Sequence, residues 1–211
     1  MQDLGRRLED KDVWLLVNNA CEVPIPQELV KRMKRDKREV LVDKQFATNV
    51  LGYHFMMSVF LSRNPNALCI NVASNWAGDL DLQDVNFCKR GYDPDSAYRQ
   101  SKQCDRMLTQ EWAERLGKAG AEAPCVISCH PGDPCTKLSS TLGYNLQASK
   151  DCSPVVEQNI LPLVRNSRSL KSGGWCERGR MTGCQFAGSG FTDERRELFE
   201  ECEQFVIKDQ V

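Results

Sequence analysis

Residues 13–20, VWLLVNNA, begin with five apolar residues in a row and then turn polar at two asparagines. A short, continuous apolar run of this kind is typical of a strand that is buried on both faces in a parallel sheet. ALCINV (67–72) and CVISCH (125–130) have the same character. We therefore predict a β-strand in each of the three segments.

Longer segments with helical periodicity lie between and after these runs. Apolar residues recur at helical spacing in 45–63 and in 97–119. A third helix is expected to take Ser153 as its N-cap and Pro154 as its first helical residue, and a fourth begins at Thr192. Alternating strands and helices predict an α/β fold with a parallel sheet, in one domain over residues 1–211.

The composition excludes several classes of protein. Apolar residues make up 41% of the chain and charged residues 27%, which is enough for a packed core. A net charge of −1 argues against a nucleic-acid partner, and no apolar run is long enough to span a membrane. The basic run KRMKRDKR (31–38) could contact nucleic acid or acidic lipid, but we favour a solvated loop.

The 11 cysteines do not form a recognisable pattern. Their number is odd, no two are spaced as Cys-x-x-Cys, and His54 and His130 lie far apart in the sequence. We therefore expect no metal site and no disulfide framework. Reduced thiols in a cytoplasmic protein are the interpretation that we favour.

The hexapeptide AYRQSK (97–102) places a tyrosine and a lysine four residues apart. Residues at this spacing share one face of a helix, so the Lys102 ammonium would lie beside the Tyr98 phenol. A neighbouring positive charge lowers the pKa of a phenol and makes it a usable general acid or base. A single Tyr-x-x-x-Lys match is weak evidence, because the same pair is also found in ordinary amphipathic helices.

Two further polar residues are candidates for the same site. Ser74 follows the strand predicted over 67–72, at the end where ligands bind in open α/β sheets, and could donate to a substrate oxygen. Asn49 lies beside the apolar stripe of the first helix and could hold a water in a proton relay. Taken alone, Ser74 is explained equally well as a turn serine, and Asn49 is explained better as a hydrogen-bonded core amide.

Two turn-rich segments, LVNNA (16–20) and HPGDPCT (130–136), each follow a predicted strand. Both would lie at the same sheet edge as Ser74, although each could also be an ordinary strand-to-loop turn.

Together these segments resemble the short-chain dehydrogenases/reductases. The most similar branch is the retinol-dehydrogenase and protochlorophyllide-reductase-like branch. The similarity to it is carried by the stretch from Trp76 to Tyr98 and by the tail GGWCERGRMTGCQFAGSGF (173–191). The resemblance covers roughly residues 10 to 206, and five motifs in the family's order are far more specific than one. The five motifs are LLVNNA, FATNVLGYHFMM, INVASNWAGDLDLQDVNF, AYRQSKQCDRML and ISCHPGDPCTKL.

The resemblance implies a Rossmann-like doubly wound parallel sheet and reversible hydride transfer between NADP or NAD and an alcohol or carbonyl compound. Tyr98 would exchange a proton with the substrate oxygen and Ser74 would polarise that oxygen. Lys102 would lower the tyrosine pKa and hold the nicotinamide ribose, and Asn49 would support the proton relay. The implied cofactor-binding residues, besides Tyr98 and Lys102, are Asn18, Ala20, Pro131, Gly132 and Thr136.

The sequence departs from the family at its start. The family begins with a strand, a glycine-rich turn and a helix that hold the pyrophosphate, and no such segment is found here. We expect an N-terminally truncated sheet that lacks the first strands, two βαβ units or about 60 residues. Strand 13–17 would then be an exposed edge, and the choice between NAD and NADP is not readable. Cys21 and Ala73 also replace a glycine and a serine that are usual in the family.

Three hypotheses follow for the function. The first is an NAD(P)-dependent oxidoreductase whose N-terminal third is absent from this sequence. We favour it because the four residues of the catalytic tetrad that the resemblance implies are all present: Asn49, Ser74, Tyr98 and Lys102. The second is a catalytically inactive remnant that acts as an interaction module, and the third is a binding protein for an apolar ligand. Residues 138–180 would cover a small lipophilic carbonyl or alcohol substrate, and a homo-oligomer remains open.

Overall fold

A computed structural model describes residues 12–118, 123–134, 136–143, 152–183 and 192–206. In these residues the strands are β1 (Leu15–Asn18), β2 (Leu29–Met33), β3 (Glu39–Asp43), β4 (Leu68–Val72), β5 (Cys125–Cys129), β6 (Trp175–Glu177) and β7 (Arg180–Thr182). The α-helices are α1 (Gly52–Leu61), α2 (Pro94–Gly117), α3 (Lys137–Thr141), α4 (Ser153–Asn159), α5 (Leu161–Arg165) and α6 (Thr192–Glu203).

The main sheet has the strand order β1-β4-β5-β6-β7. The first four of these strands are parallel, and β7 pairs antiparallel to β6 at the far edge. Every residue of β4 is buried, which explains why its sequence is continuously apolar rather than alternating. The three predicted strands and the Rossmann-like α/β fold are therefore confirmed.

Helices cover both faces of this sheet. On one face Cys69 of β4 packs with Met57 of α1, and on the other Ile70 packs with Leu163 of α5. A third core cluster joins α2 and α6 to a π-helical segment, Phe46–Leu51, which runs directly into α1. The arrangement fixes α2, the helix of Tyr98 and Lys102, against the centre of the sheet.

Strand β1 forms one edge of the main sheet, as expected for a sheet without the family's first strands. It pairs with β4, and within the described residues its other side carries no strand. Trp14 is 51% exposed and Val17 is 39% exposed beside this edge. Unpaired backbone groups next to exposed apolar side chains are prone to intermolecular strand pairing.

The loop expected over residues 31–38 is only partly correct. Residues 31–33 complete β2, which pairs antiparallel with β3, so the loop assignment is wrong for them and holds for the turn that follows. The basic side chains of the run also have acidic partners, since Lys31 contacts Glu39, and Arg35 contacts Glu203 of α6. The run is therefore a hairpin that attaches to α6.

Helix termini differ slightly from the prediction. Helix α2 begins three residues before residue 97, at Pro94, because the Asp93 carboxylate accepts a hydrogen bond from the Ser96 N–H and caps it. Helix α4 includes Ser153 as its first residue, and Cys152 takes the N-cap position that was predicted for Ser153. Helix α6 begins at Thr192 as predicted.

A buried histidine attaches α6 to the rest of the fold. The Trp112 indole N–H donates to His54 Nδ1 over 3.2 Å, and His54 Nε2 lies 2.9 Å from Glu203 Oε1. An indole N–H can only donate, so His54 accepts at Nδ1 and donates its Nε2 hydrogen to Glu203. Both imidazole nitrogens are therefore used in packing, which gives His54 a structural role.

Candidate active site

A cavity of about 600 Å³ opens at the carboxyl ends of the parallel strands. Three of the predicted tetrad residues, Ser74, Tyr98 and Lys102, line it. The predicted cofactor residues that line it are Ala20, Pro131, Gly132 and Thr136. Asn18 and Asn49 do not line the cavity, and both side chains are buried. The turns after β1, β4 and β5 therefore meet at one edge, as parallel strands require.

Tyr98 lies in the second turn of α2 and is partly buried. Burial raises the pKa of its phenol above the ordinary value, while the Lys102 ammonium and a hydrogen bond with Ser74 lower it. The effect of burial is the larger, so the net pKa is raised. A phenol in this state is a proton donor at neutral pH, and it needs a further charge or a substrate to become a base.

Lys102 is almost completely buried where α2 packs on β4. Its ammonium donates to the Val72 carbonyl over 2.8 Å and to Asp105 Oδ2 over 3.0 Å. Burial lowers the pKa of the ammonium, but Asp105 and the neighbouring Cys21 raise it, and the net pKa is well above the ordinary value. Lys102 is therefore a permanent cation within the physiological range.

Ser74 is buried at the end of β4. Its hydroxyl accepts a hydrogen bond from the Trp76 backbone N–H over 3.1 Å, and its carbonyl accepts one from the Arg106 guanidinium. Arg106 in turn stacks on the Trp175 ring at 3.6 Å. These contacts hold Ser74 in place, and its hydroxyl also makes a hydrogen bond with the Tyr98 phenol.

Asn49 lies in the π-helical segment and is fully buried. Its side-chain oxygen accepts from the Glu22 N–H over 2.9 Å, and its amide nitrogen donates to the Glu22 carbonyl and to Ser101 Oγ, both over 3.2 Å. Asn49 can therefore be a hydrogen-bonded core amide and a residue of the site at the same time. Asn49 joins the loop that lines the cavity to the helix that carries Tyr98. Single π-helical turns inside α-helices are frequent at functional sites.

Asn18 is directed into the interior of the protein. Its amide donates to Asn71 Oδ1 over 2.8 Å, and the Asn71 amide donates to Thr109 of α2 over 2.9 Å. This buried network connects β1, β4 and α2 behind the cavity. The side chain of Asn18 is therefore part of the support of the site.

The loop after β5 forms the opposite wall. Gly132 has a φ of +90°, and a Cβ at this position would lie 2.8 Å from Asn159 Nδ2, so the turn requires glycine. Thr136 caps α3 by accepting a hydrogen bond from the Ser139 N–H. His130 also lines the cavity, and burial lowers the pKa of its imidazole.

Several residues of the site are not evident in the sequence. Trp76 and His130 line the cavity, and Asp105 lies directly behind Lys102. The signal for Asp105 was its spacing, because residues three apart on a helix are neighbours. In isolation that spacing predicts an ordinary surface ion pair, and only the packing reveals that this pair is buried.

The known proteins that this chain resembles in sequence are dehydrogenases. No protein-family model matches the chain. Mouse retinol dehydrogenase 13 is 30% identical over 145 residues, which are 66% of this chain and 40% of that protein. Bovine dehydrogenase/reductase SDR family member 12 is 25% identical over 133 residues, 58% of this chain and 40% of that protein. In sequence, the chain is similar to members of the short-chain dehydrogenase/reductase family. Its similarity is to the retinol-dehydrogenase-like branch, and it spans about 40% of the length of these relatives.

Solved structures of similar fold agree with the Rossmann-like architecture of this chain. An uncharacterised protein from Mycobacterium paratuberculosis superposes with a TM-score of 0.64 at 23% identity, covering 98% of this chain and 74% of that one. The NADPH-bound carbonyl reductase from chicken fatty liver gives a TM-score of 0.53 at 20% identity, covering 86% and 70%. At these identities the likeness is evidence for the fold.

Two features are absent from the described residues. No helix in them is long and apolar enough to cross a membrane. The same part of the chain holds no group of three or more histidine, cysteine, aspartate or glutamate residues that could bind a metal ion.

Proposed function

We propose that this chain carries the acid–base part of an NAD(P)-dependent oxidoreductase that interconverts an alcohol and a carbonyl compound. The observation that carries the proposal is the convergence of Ser74, Tyr98 and Lys102 on the wall of one cavity. In reduction, the substrate oxygen accepts a hydrogen bond from Ser74 and a proton from Tyr98; in oxidation the same proton returns to Tyr98. Lys102 supplies the positive charge that favours the tyrosinate.

The residues present fit the nicotinamide end of the cofactor. Small residues, Ala20, Ala73 and Gly132, line the cavity and leave room for a flat ring, and Lys102 is a donor suited to a ribose hydroxyl. Ala20, Tyr98, Lys102, Pro131, Gly132 and Thr136 would hold this end, with Asn18 supporting them from behind. When bound, NADP or NAD supplies or accepts the hydride.

The residues present do not fit the diphosphate end of the cofactor in the same way. The 211 residues contain no Gly-x-Gly-x-x-Gly, and β1 is an open edge where the family's glycine-rich unit would pair. We therefore expect weak cofactor binding by this chain alone.

The substrate is proposed to be a small lipophilic carbonyl or alcohol compound. Trp76, Pro134, Leu138 and Leu142 form an apolar part of the cavity wall near Tyr98. A cytoplasmic location is supported by the cysteines, all of which are free within the described residues. Fractionation of a tagged protein tests the location.

The alternative function is a catalytically inactive interaction module. The observations in its favour are the exposed apolar edge at Trp14 and Val17, and the engagement of Lys102 by Asp105. It predicts that substitution of Tyr98 has no effect on any activity.

The test is carbonyl reduction by a protein in which the chain is extended at its N-terminus with the family's strand–turn–helix segment. We expect Tyr98→Phe to lower turnover by about 10²-fold or more, since it removes the proton donor. Tyr92→Phe is the matched control: the Tyr92 hydroxyl donates to the Pro24 carbonyl outside the cavity, and its loss should leave turnover unchanged. Turnover retained in Tyr98→Phe would exclude the assigned role.

A further inference from the structure

Asp105 is a buried carboxyl group directly behind the tyrosine–lysine pair. It lies one helical turn after Lys102, and its Oδ2 is 3.0 Å from Lys102 Nζ. The side chains of Lys102 and Asp105 are 3% and 0% exposed. Within the described residues, Asp105 Oδ1 has no hydrogen-bond partner. One carboxylate oxygen is therefore fully committed to Lys102, while the other is desolvated.

The position of the Lys102 ammonium follows from these contacts. Asp105 and the Val72 carbonyl each accept one of its hydrogen bonds, so the ammonium is held between α2 and the end of β4. The Tyr53 ring lies 5.1 Å from it on the α1 side. A lysine held in this way keeps a defined distance from Tyr98, four residues earlier on the same helix face.

The charges around Tyr98 come mainly from this pair. The titratable groups that face Lys102 and Asp105 are Cys21 from the loop after β1, Tyr53 from α1, Tyr98 and Cys104 from α2, Cys129 from β5 and Cys202 from α6. Burial raises the pKa of each of these thiols and phenols, so they are neutral at physiological pH. Lys102 and Asp105 then have opposite effects on the pKa of Tyr98: the lysine lowers it and the aspartate raises it.

We propose that Asp105 is a positioning residue of this site: it anchors the Lys102 ammonium and offsets its charge, and so sets the pH at which Tyr98 ionises. The carboxylate reduces the net positive field at the phenol, which keeps Tyr98 protonated over a wider pH range. The site is thereby adjusted toward proton donation, the direction of carbonyl reduction. The catalytic meaning of this inference rests on the proposed function.

The ionisation of Asp105 itself supports this role. Burial raises the pKa of Asp105 to about 7, although the Lys102 ammonium lowers it. As the pH rises through neutrality, Asp105 therefore loses its proton and its negative charge offsets more of the Lys102 charge. The pH range in which Tyr98 would otherwise begin to ionise lies above that point.

The experiment is a titration of Tyr98 in the 211-residue chain. The protein is labelled with ¹³Cζ-tyrosine, the Tyr98 signal is assigned by its loss in Tyr98→Phe, and its chemical shift is followed with pH while circular dichroism monitors folding. We expect Asp105→Asn, which preserves the shape of the side chain, to lower the ionisation midpoint of Tyr98 by about one pH unit or more. An unchanged or higher midpoint would overturn the proposal.

The matched control is Glu111→Gln. Glu111 is a buried carboxylate on the same helix and is paired with Arg115 over 2.8 Å. It lies about 20 Å from Tyr98 along the axis of α2. Its substitution should leave the Tyr98 midpoint in place, and a shift of equal size would contradict a specific role for Asp105.

A second measurement keeps the test decisive if Asp105→Asn does not fold. In the unmodified chain, the Tyr98 signal should move as Asp105 ionises around pH 7, and a flat signal there would also refute the proposal. Neither measurement needs cofactor or turnover. A chain without activity would thus count against the proposed function alone, and a failed titration against Asp105 alone.

Discussion

Replacing Asn49 by alanine removes the connection between the cavity loop and the helix below it. The substitution deletes three hydrogen bonds, of 2.9, 3.2 and 3.2 Å, and leaves the Glu22 N–H, the Glu22 carbonyl and the Ser101 hydroxyl without this partner. A buried group left unsatisfied costs about 1–3 kcal/mol, and the loop can relax enough for water to reach part of it. We therefore expect the free energy of unfolding to fall by about 2–4 kcal/mol.

Urea denaturation followed by circular dichroism measures this loss, with the free energy extrapolated linearly to water. Asn64→Ala is the matched control, because the Asn64 amide makes a hydrogen bond to the Phe60 carbonyl at a partly exposed helix end. The control should lose less than about 1 kcal/mol. If Asn49→Ala were no more destabilised than the control, the described role of Asn49 in joining the loop to the helix would be refuted.

Two further predictions concern the open edge and the buried pair. Val17→Lys places a charge on the exposed edge strand, and we expect slower aggregation by light scattering at equal concentration; aggregation at the original rate would show that β1 is not the associating edge. For Asp105, the pKa of the folded state, about 7, exceeds the ordinary value of 3.8. In the window between these two pH values, the folded chain holds a proton that the unfolded chain has released. The contribution of Asp105 to stability therefore falls as the pH rises through the window, and Asp105→Asn should remove that fall in urea denaturation at a series of pH values. An identical pH dependence in both proteins would contradict a raised pKa.

Parts of the fold were predictable because local sequence and tertiary context agree. Strands β4 and β5 are buried on both faces, so their apolar runs identify them without further information. The gathering of Ser74 and the turns after β1 and β5 at one edge followed from the rule that parallel strands end together, whereas the place of Tyr98 beside Ser74 was implied only by the family resemblance. The exposed position of β1 followed from the strand order of the family.

Other features depend on packing that a linear pattern does not contain. The hairpin of β2 and β3 is not evident in the sequence because basic residues dominate the segment between Val30 and Val40. Both valines are partly buried only through packing against the cluster that joins α2 and α6. The π-helical segment at Asn49 has the same apolar spacing as an α-helix. Asp105 reads as a polar residue on a surface helix, and its burial comes from the elements packed against α2.

We propose that this chain holds the acid–base end of a dehydrogenase site without the residues that would hold the cofactor diphosphate. Isothermal titration of NADPH into the 211-residue chain tests this claim most directly. We expect no saturable binding at micromolar concentrations, because the residues proposed to hold the cofactor belong to its nicotinamide end and the 211 residues contain no Gly-x-Gly-x-x-Gly. A micromolar dissociation constant would contradict it and would require a phosphate site elsewhere in the chain.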